Sequence, residues 1–349
     1  MRLGVNMGYW GAGNDGENLD VAKEADRLGY SVCWAAEAYG SDAATVLTWI
    51  AAHTERMDVG SAVFQIPART PAMTAMTAAT LDTLSNGRFR LGLGVSGPQV
   101  SEGWHGVPFG SPLGRTREYV DIVRKALTRE RLTHDGEHYR LPLPGGPGKA
   151  VKLTVHPVRE KIPVYLAAIG PKNLELTGEI ADGWLPVFYS PEHAAEHIER
   201  IKAGRAKAGK TDLEGFDVAP TVPLVVGDDV QACADPIRWY ASLYIGGMGS
   251  KEQNFYNRLA RRMGFEQAAD EVQAKYLAKD YAGAAAAVPF EFIDATSLIG
   301  PKERIAERMT AFAESGVTTL SVAAAFGDLK TRTEILRTAV EAAELAGLN

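Results

Sequence analysis

A few short runs in this sequence have residue types and spacing that could do chemistry. Gly92-Leu93-Gly94-Val95-Ser96-Gly97 has the spacing G-x-G-x-x-G, which at a strand-to-helix turn lets backbone amides meet a dinucleotide pyrophosphate. Its surroundings argue against that use. The run ends a fourth strand instead of opening a first strand–helix–strand unit, and no helix is expected before Arg115. A strand end of small residues that a flat ligand can approach is the better reading for Gly94 and Gly97. At Gly92, tight packing explains the glycine equally well. Gly170-Pro171-Lys172-Asn173 follows a strand and opens a helix. Glycine admits close approach, proline is preset for the first helical position, and free amides with the helix dipole attract an anion. Lys172 opposes that dipole, which suits a bound phosphate; an ordinary strand-to-helix turn is the alternative.

Glu37 ends a strand behind the apolar run Val32-Cys33-Trp34-Ala35-Ala36. A carboxylate there is a candidate general acid–base group or polar ligand contact, or else an ion-paired structural residue. His193-Ala194-Ala195-Glu196-His197 matches the zinc spacing H-x-x-E-H. A catalytic zinc needs three protein ligands, and no third is evident, so the run is read as a solvated helix face and no metal is expected. Neither a Ser–His–Asp nor a Cys–His set suggests itself, and no strand end carries a histidine. That points to a cofactor that brings its own chemistry.

These residues need a scaffold, and the pattern supplies one. Apolar, β-branched runs at Leu3–Met7, Tyr30–Glu37, Val59–Ile66, Phe89–Ser96, Ile162–Ala168, Trp184–Phe188, Asp217–Val226 and Val317–Ala324 read as strands. Amphipathic stretches such as Glu17–Leu28, Pro71–Leu84, Arg115–Leu127, Lys172–Ala181, Pro191–Ala208 and Thr331–Leu345 lie between or after them. Eight strands alternating with helices pair in parallel with right-handed crossovers. The fold class is therefore α/β, a (β/α)8 TIM barrel, with residues 1–349 as a single domain. Insertions are expected after strand four (Gly97–Gly114), before strand five (Thr133–Lys161) and between strands seven and eight (roughly Gly246–Ser297). The second holds a hairpin signal at Asp135-Gly136, and the third is Ala-rich and helical.

Composition narrows the function classes. The chain has 349 residues, 46% hydrophobic and 23% charged, with a net charge of −6. That is ordinary globular usage, which excludes disorder, collagen and coiled coil as the main architecture. No basic excess suggests a nucleic-acid partner. Cys33 and Cys233 cannot form a disulfide framework. Apolar runs fall far short of the ~20 residues of a membrane span, and Met1–Met7 does not read as a signal peptide. A cytoplasmic protein acting on a small molecule is expected.

Taken together, Trp34–Ala43, Gly60-Ser61-Ala62-Val63, Leu91–Trp104, Gly170–Asn173 and Ala181-Asp182-Gly183-Trp184 resemble the bacterial luciferase-like superfamily. The similarity is to its branch using the deazaflavin coenzyme F420, which includes methylenetetrahydromethanopterin reductase. The resemblance implies that Glu37 stands beside the deazaflavin headgroup and that Ala62 and Val63 form a bulge, joined by a cis peptide bond, that backs the ring. It places Gly94, Ser96 and Gly97 along the coenzyme and Gly170, Pro171 and Lys172 at its phosphate. Alcohol and sugar-phosphate dehydrogenases of the branch carry a histidine base after the acidic residue. Ala38 stands there in this chain, so reduction of an activated C=C or C=N bond is expected over alcohol oxidation. The alternatives are an FMN-dependent monooxygenase on the same barrel and a non-catalytic flavin or deazaflavin carrier. The helix with Met73, Met76, Ala78, Ala79 and Thr80, and its Asp42–Thr54 neighbour, are expected to be buried in a homodimer.

Overall fold

The computed structural model describes residues 1–10, 15–249, 251–323 and 327–348. In chain order its elements are β1 (Arg2–Asn6), α1 (Asp15–Leu28), β2 (Val32–Ala35), α2 (Ala43–Ala51), β3 (Asp58–Ser61), β4 (Phe64–Gln65), α3 (Pro71–Leu84), β5 (Phe89–Gly94), α4 (Pro98–Gly103) and α5 (Pro112–Leu127). There follow β6 (His134–Asp135), β7 (Arg140–Leu141), β8 (Val164–Leu166), α6 (Pro171–Ile180), β9 (Gly183–Trp184), α7 (Ala194–Lys207), β10 (Asp217–Val218), β11 (Thr221–Val226) and α8 (Val230–Ser242). The chain ends with α9 (Phe255–Arg262), α10 (Glu266–Leu277), α11 (Tyr281–Ala286), α12 (Phe290–Thr296), β12 (Leu298–Gly300), α13 (Lys302–Glu314), β13 (Thr319–Ala323) and α14 (Leu329–Leu345).

One hydrogen-bonded path joins ten strands in the order β10-β9-β8-β5-β3-β2-β1-β13-β11-β12, with β4 also on β5. Every pairing in it is parallel. The sheet curls, because β10 and β11 are separated only by Ala219 and Pro220, and the Thr318 amide donates to the Val218 carbonyl at 3.1 Å. Strands buried on both faces read as continuous apolar runs, and all four residues of β2 are buried. Helices cover the outside. α2 is capped by the Asp42 carboxylate on the Thr45 amide, and α3 by the Thr70 hydroxyl on Met73 with Pro71 in its first turn.

Inside the curl, Trp34 fills the lumen. A Cβ at Gly60 would lie 2.3 Å from its ring, and Gly183 makes the same allowance for Tyr165, which meets Trp34 edge-on at 5.3 Å. A second hydrophobic cluster lies among α8 to α12, with Ile237, Val272, Phe292 and Ile293 buried in it.

Several expectations need correction. A helix does open directly after the glycine run. α4 begins at Pro98, with Gly97 as its extended N-cap, because proline at the first helical position needs no amide partner. The glycine run therefore does lead into a helix, although it still ends an interior strand. The expected third strand is broken between Ser61 and Phe64. β12 was not foreseen, since two apolar residues before the Gly300-Pro301 pair give little signal. The last strand was expected to reach Ala324, which lies outside the described residues. The pairing of His134 with Leu141 forms the expected hairpin.

Candidate active site

The carboxyl ends of β2, β3, β4 and β5 meet around the break in the third strand. The Ser61 hydroxyl donates to the Gly92 carbonyl at 2.8 Å and accepts from the Gly92 amide at 2.9 Å. That locks β3 to β5 immediately before the break. The Ala62–Val63 peptide bond is cis, as expected from the resemblance. Both residues are half-buried, and β4 resumes pairing at Phe64 with Leu93. The glycines of β5 are cut to this bulge. A Cβ at Gly92 would sit 1.9 Å from the Ser61 carbonyl oxygen, and one at Gly94 would sit 2.5 Å from Val63 Cγ2. Gly97 has no such constraint, its nearest approach being 3.5 Å to Gln99. Ser96 is in the left-handed region at φ 62°, which a serine rarely adopts. Its hydroxyl donates to Gln65 at 2.9 Å, and Gln65 in turn donates to the Ala38 carbonyl.

Glu37 is buried beside this bulge, and all its acceptor capacity is in use. One oxygen accepts from the Gln65 amide at 3.1 Å and Arg69 Nε at 3.3 Å. The other accepts from the Ala43 amide at 3.2 Å and Arg69 Nη2 at 3.0 Å. Arg69 also pairs with Asp42. The carboxylate thus ties the end of β2 to the start of α2 and to β4. Sequence reasoning missed Gln65 and Arg69 because each is one polar residue in a run after a strand. Arg69 also borders a cavity of about 260 Å³ that Val95, Arg115 and Tyr139 help line.

Across the sheet, Gly170 caps α6 in an extended conformation with no side chain on the first-turn amides. A Cβ at Gly170 would meet nothing within 4 Å. Pro171 is half-buried and Lys172 exposed. Free amides at the positive end of a helix in open space are a ready anion site.

The histidine run departs from expectation. His193 is exposed, but His197 is half-buried, with its ring 5.7 Å from Trp184. Burial first, then nearby Arg262, lowers its pKa. Among the described residues, no group of three or more His, Cys, Asp or Glu side chains could hold a metal ion. The sequence also gave no warning of an aromatic group over the strand ends. Tyr9 follows β1, Tyr39 follows β2, and Phe188 follows β9. Tyr240, Tyr244 and Tyr256 come from α8, the turn after it, and α9.

Comparison with known proteins agrees with this geometry. The family model of luciferase-like monooxygenases matches residues 7–319. A provisionally named coenzyme F420-dependent oxidoreductase of Mycobacterium tuberculosis is 44% identical over 330 residues, covering 93% of this chain and 95% of that protein. The 5,10-methylenetetrahydromethanopterin reductase of Archaeoglobus fulgidus is 28% identical over 85% of this chain and 86% of its own length. Among solved structures, the coenzyme F420-dependent tetrahydromethanopterin reductase of Methanopyrus kandleri superposes with a TM-score of 0.82 at 22% identity, covering 97% of each chain. With the family model spanning most of the chain, this protein belongs to the luciferase-like monooxygenase family.

Proposed function

We propose that this chain is an oxidoreductase that moves a hydride between the deazaflavin coenzyme F420 and a small organic substrate. The observation that carries the reading is the fitted pair of β5 and the bulge. Gly92 and Gly94 are bare where Ser61 and Val63 press inward, which leaves Ala62 and Val63 as a ledge for one face of a flat ring. The likeness to proteins named for coenzyme F420 supplies the choice of ring. The residues fit such a group. Ala62 and Val63 would back it, Gly94, Ser96 and Gly97 would line it, and Gly170, Pro171 and Lys172 would hold its phosphate at the open start of α6. When bound, the deazaflavin supplies the hydride-carrying carbon. The protein then binds, orients and excludes water.

Glu37 stands beside the ring position with its contacts taken, so its first task is to hold β4 and Arg69 in place. Ala38 leaves no histidine base after it, which favours reduction of an activated C=C or C=N bond over alcohol oxidation. We read the curled sheet as a (β/α)8 barrel with residues 1–349 as one domain. Among the described residues, no helix is long and apolar enough to cross a membrane. Half-exposed Trp49, Met73, Met76 and Leu84 on α2 and α3 favour a homodimer through these helices, in a cytoplasmic enzyme.

Absorbance titration of the purified protein with F420 and with FMN tests the coenzyme, and F420 is expected to bind more tightly. Tighter FMN binding would transfer the chain to the FMN-dependent monooxygenase reading. Tight F420 binding with no turnover on a panel of imines, enones and secondary alcohols would make it a carrier. Oxidation of secondary alcohols as fast as any imine or enone is reduced would reject the preferred reaction.

A further inference from the structure

The aromatic group over the strand ends is more than packing. Tyr240 and Tyr244 have ring centroids 4.7 Å apart, Tyr244 and Tyr256 4.8 Å, and Phe188 stands 5.7 Å from both Tyr240 and Tyr244. Tyr9 packs over Gly40, where a Cβ would come within 3.3 Å of its ring. Two backbone features hold this group in place. Phe188 sits in the left-handed region at φ 48°, an outlier for so bulky a residue. Tyr244 lies in a π-helical turn, Leu243–Gly247, a form frequent at functional sites. Tyr276 fits beneath that turn only because Gly246 and Gly247 are bare.

The polar ends of these rings are equally specific. The Tyr240 and Tyr244 rings pack tilted against each other, and each phenol acts on the other electrostatically. The Tyr9 and Tyr256 hydroxyls have no hydrogen-bond partner among the described residues. Burial pushes the Tyr256 phenol up to about 12, and burial first, then neighbouring tyrosines, pushes Tyr9, Tyr240 and Tyr244 up as well. All four are protonated donors at neutral pH. Among the described residues, the groups that act most strongly on them are each other and Tyr39, and none of these is charged at neutral pH.

We infer that Tyr9, Phe188, Tyr240, Tyr244 and Tyr256 form the substrate-binding wall of this enzyme, and that its occupant is a neutral, flat, conjugated molecule with a hydrogen-bond acceptor. The inference rests on the oxidoreductase reading above. Aromatic edges and faces supply apolar area and directed ring contacts. A phenol O–H donates to a carbonyl oxygen or an imine nitrogen. A phosphate or carboxylate would lose its water here without gaining a cation, which is costly. Arg69, which stacks over Phe64 at the end of the bulge, is already taken up by Glu37 and Asp42.

A matched pair of probes tests this. Coumarin is flat, conjugated and neutral with a carbonyl acceptor; coumarin-3-carboxylate is the same ring with a charge. By calorimetry on the full chain loaded with F420, coumarin is expected to bind at least tenfold more tightly than the carboxylate. Tyr256→Phe and Tyr9→Phe are each expected to weaken coumarin several-fold while leaving F420 affinity unchanged. Equal or tighter binding of the carboxylate, or no change in either variant, would overturn the inference. F420 titration of the same samples separates the two readings. Coenzyme binding without coumarin binding rejects the wall alone, whereas failure to bind F420 rejects the function proposed above.

Discussion

The two ends of the strands handle their polar groups in opposite ways. At the amino ends, Asp217 accepts from Tyr165 at 2.9 Å and from Thr319 at 2.8 Å, and pairs with Arg90 at 3.2 Å and Arg2 at 3.1 Å. Arg90 also holds Asp58 at 2.7 Å. This network joins β1, β3, β5, β8, β10 and β13 across the floor. At the carboxyl ends Glu37 is comparably saturated, while among the described residues the Tyr9 and Tyr256 hydroxyls and the first amides of α6 make no such bonds. Between the two ends, Trp34 closes the lumen and donates from its indole to Ser321 at 3.1 Å. The floor holds strands together. The mouth, the face where barrel enzymes keep their chemistry, leaves donors without protein partners among the described residues.

The sharpest way to break this contrast is at the floor. Asp217→Leu leaves buried Arg90 with only Asp58 of its two carboxylate partners, and breaking a buried pair on one side costs about 3–5 kcal/mol. Urea unfolding should show that loss, with F420 affinity unchanged in whatever remains folded. An unfolding free energy equal to that of the parent would mean the floor is not load-sharing. The same logic applied to the one saturated carboxylate at the mouth gives a smaller effect. Glu37→Gln turns an amide NH2 toward Arg69 and two backbone amides, and an unsatisfied buried donor costs about 1–3 kcal/mol. Stability should fall, with KM and kcat both impaired. A fall in kcat alone, with stability intact, would assign Glu37 to proton transfer.

At the bulge the cost should appear in binding. Gly94→Val adds atoms where Val63 Cγ2 would already be 2.5 Å from a Cβ. Half-buried Ala62 and Val63 can shift, so the fold should survive while the ledge is displaced. F420 affinity is expected to fall about tenfold, or ~1.4 kcal/mol. A lowered unfolding midpoint with unchanged affinity would show that Gly94 serves packing alone.

These contrasts also explain what the sequence could tell. The strands were legible because burial on both faces makes them continuous apolar runs, as at Val32–Ala35. The floor was not. Arg90 and Asp217 are single charges at strand starts, indistinguishable in sequence from surface residues, and they meet only when the sheet curls. The aromatic wall was hidden for the same reason, since Tyr9, Phe188 and Tyr240–Tyr256 come from distant segments. The cis bond at Ala62–Val63 follows from no residue chemistry, and only the family resemblance led to it. Pro98 was read as a loop residue although proline also starts helices, which is why α4 was missed.

The phosphate turn tests the mouth from its rim. Lys172→Glu places a like charge beside the expected phosphate. Because Lys172 is exposed, water and salt screen the contact. A loss of F420 affinity of about 1 kcal/mol is expected at low salt, shrinking as salt is added. An unchanged dissociation constant at low salt would place the phosphate elsewhere.

The smallest effect belongs to Asp182, at the amino end of β9, where the floor grades into the surface. Burial alone would raise its carboxyl. Lys161, the Val164 amide at 3.0 Å and Arg124 at 3.2 Å outweigh that and hold its pKa below the usual value. A carboxyl depressed in the folded state adds stability that is complete above its unfolded pKa of ~3.9 and is lost as pH falls through the lower folded value. Asp182→Asn cannot titrate, so it lacks this contribution at every pH. The parent should therefore melt above the variant at pH 7, and the gap should close as the solution is taken below pH ~4. A gap that stayed constant down to the acid limit would mean that Asp182 acts through shape and hydrogen bonding, with its charge irrelevant. Arg124 and Lys161 would then be ordinary surface cations, and the ionic part of the floor would stop at Asp217.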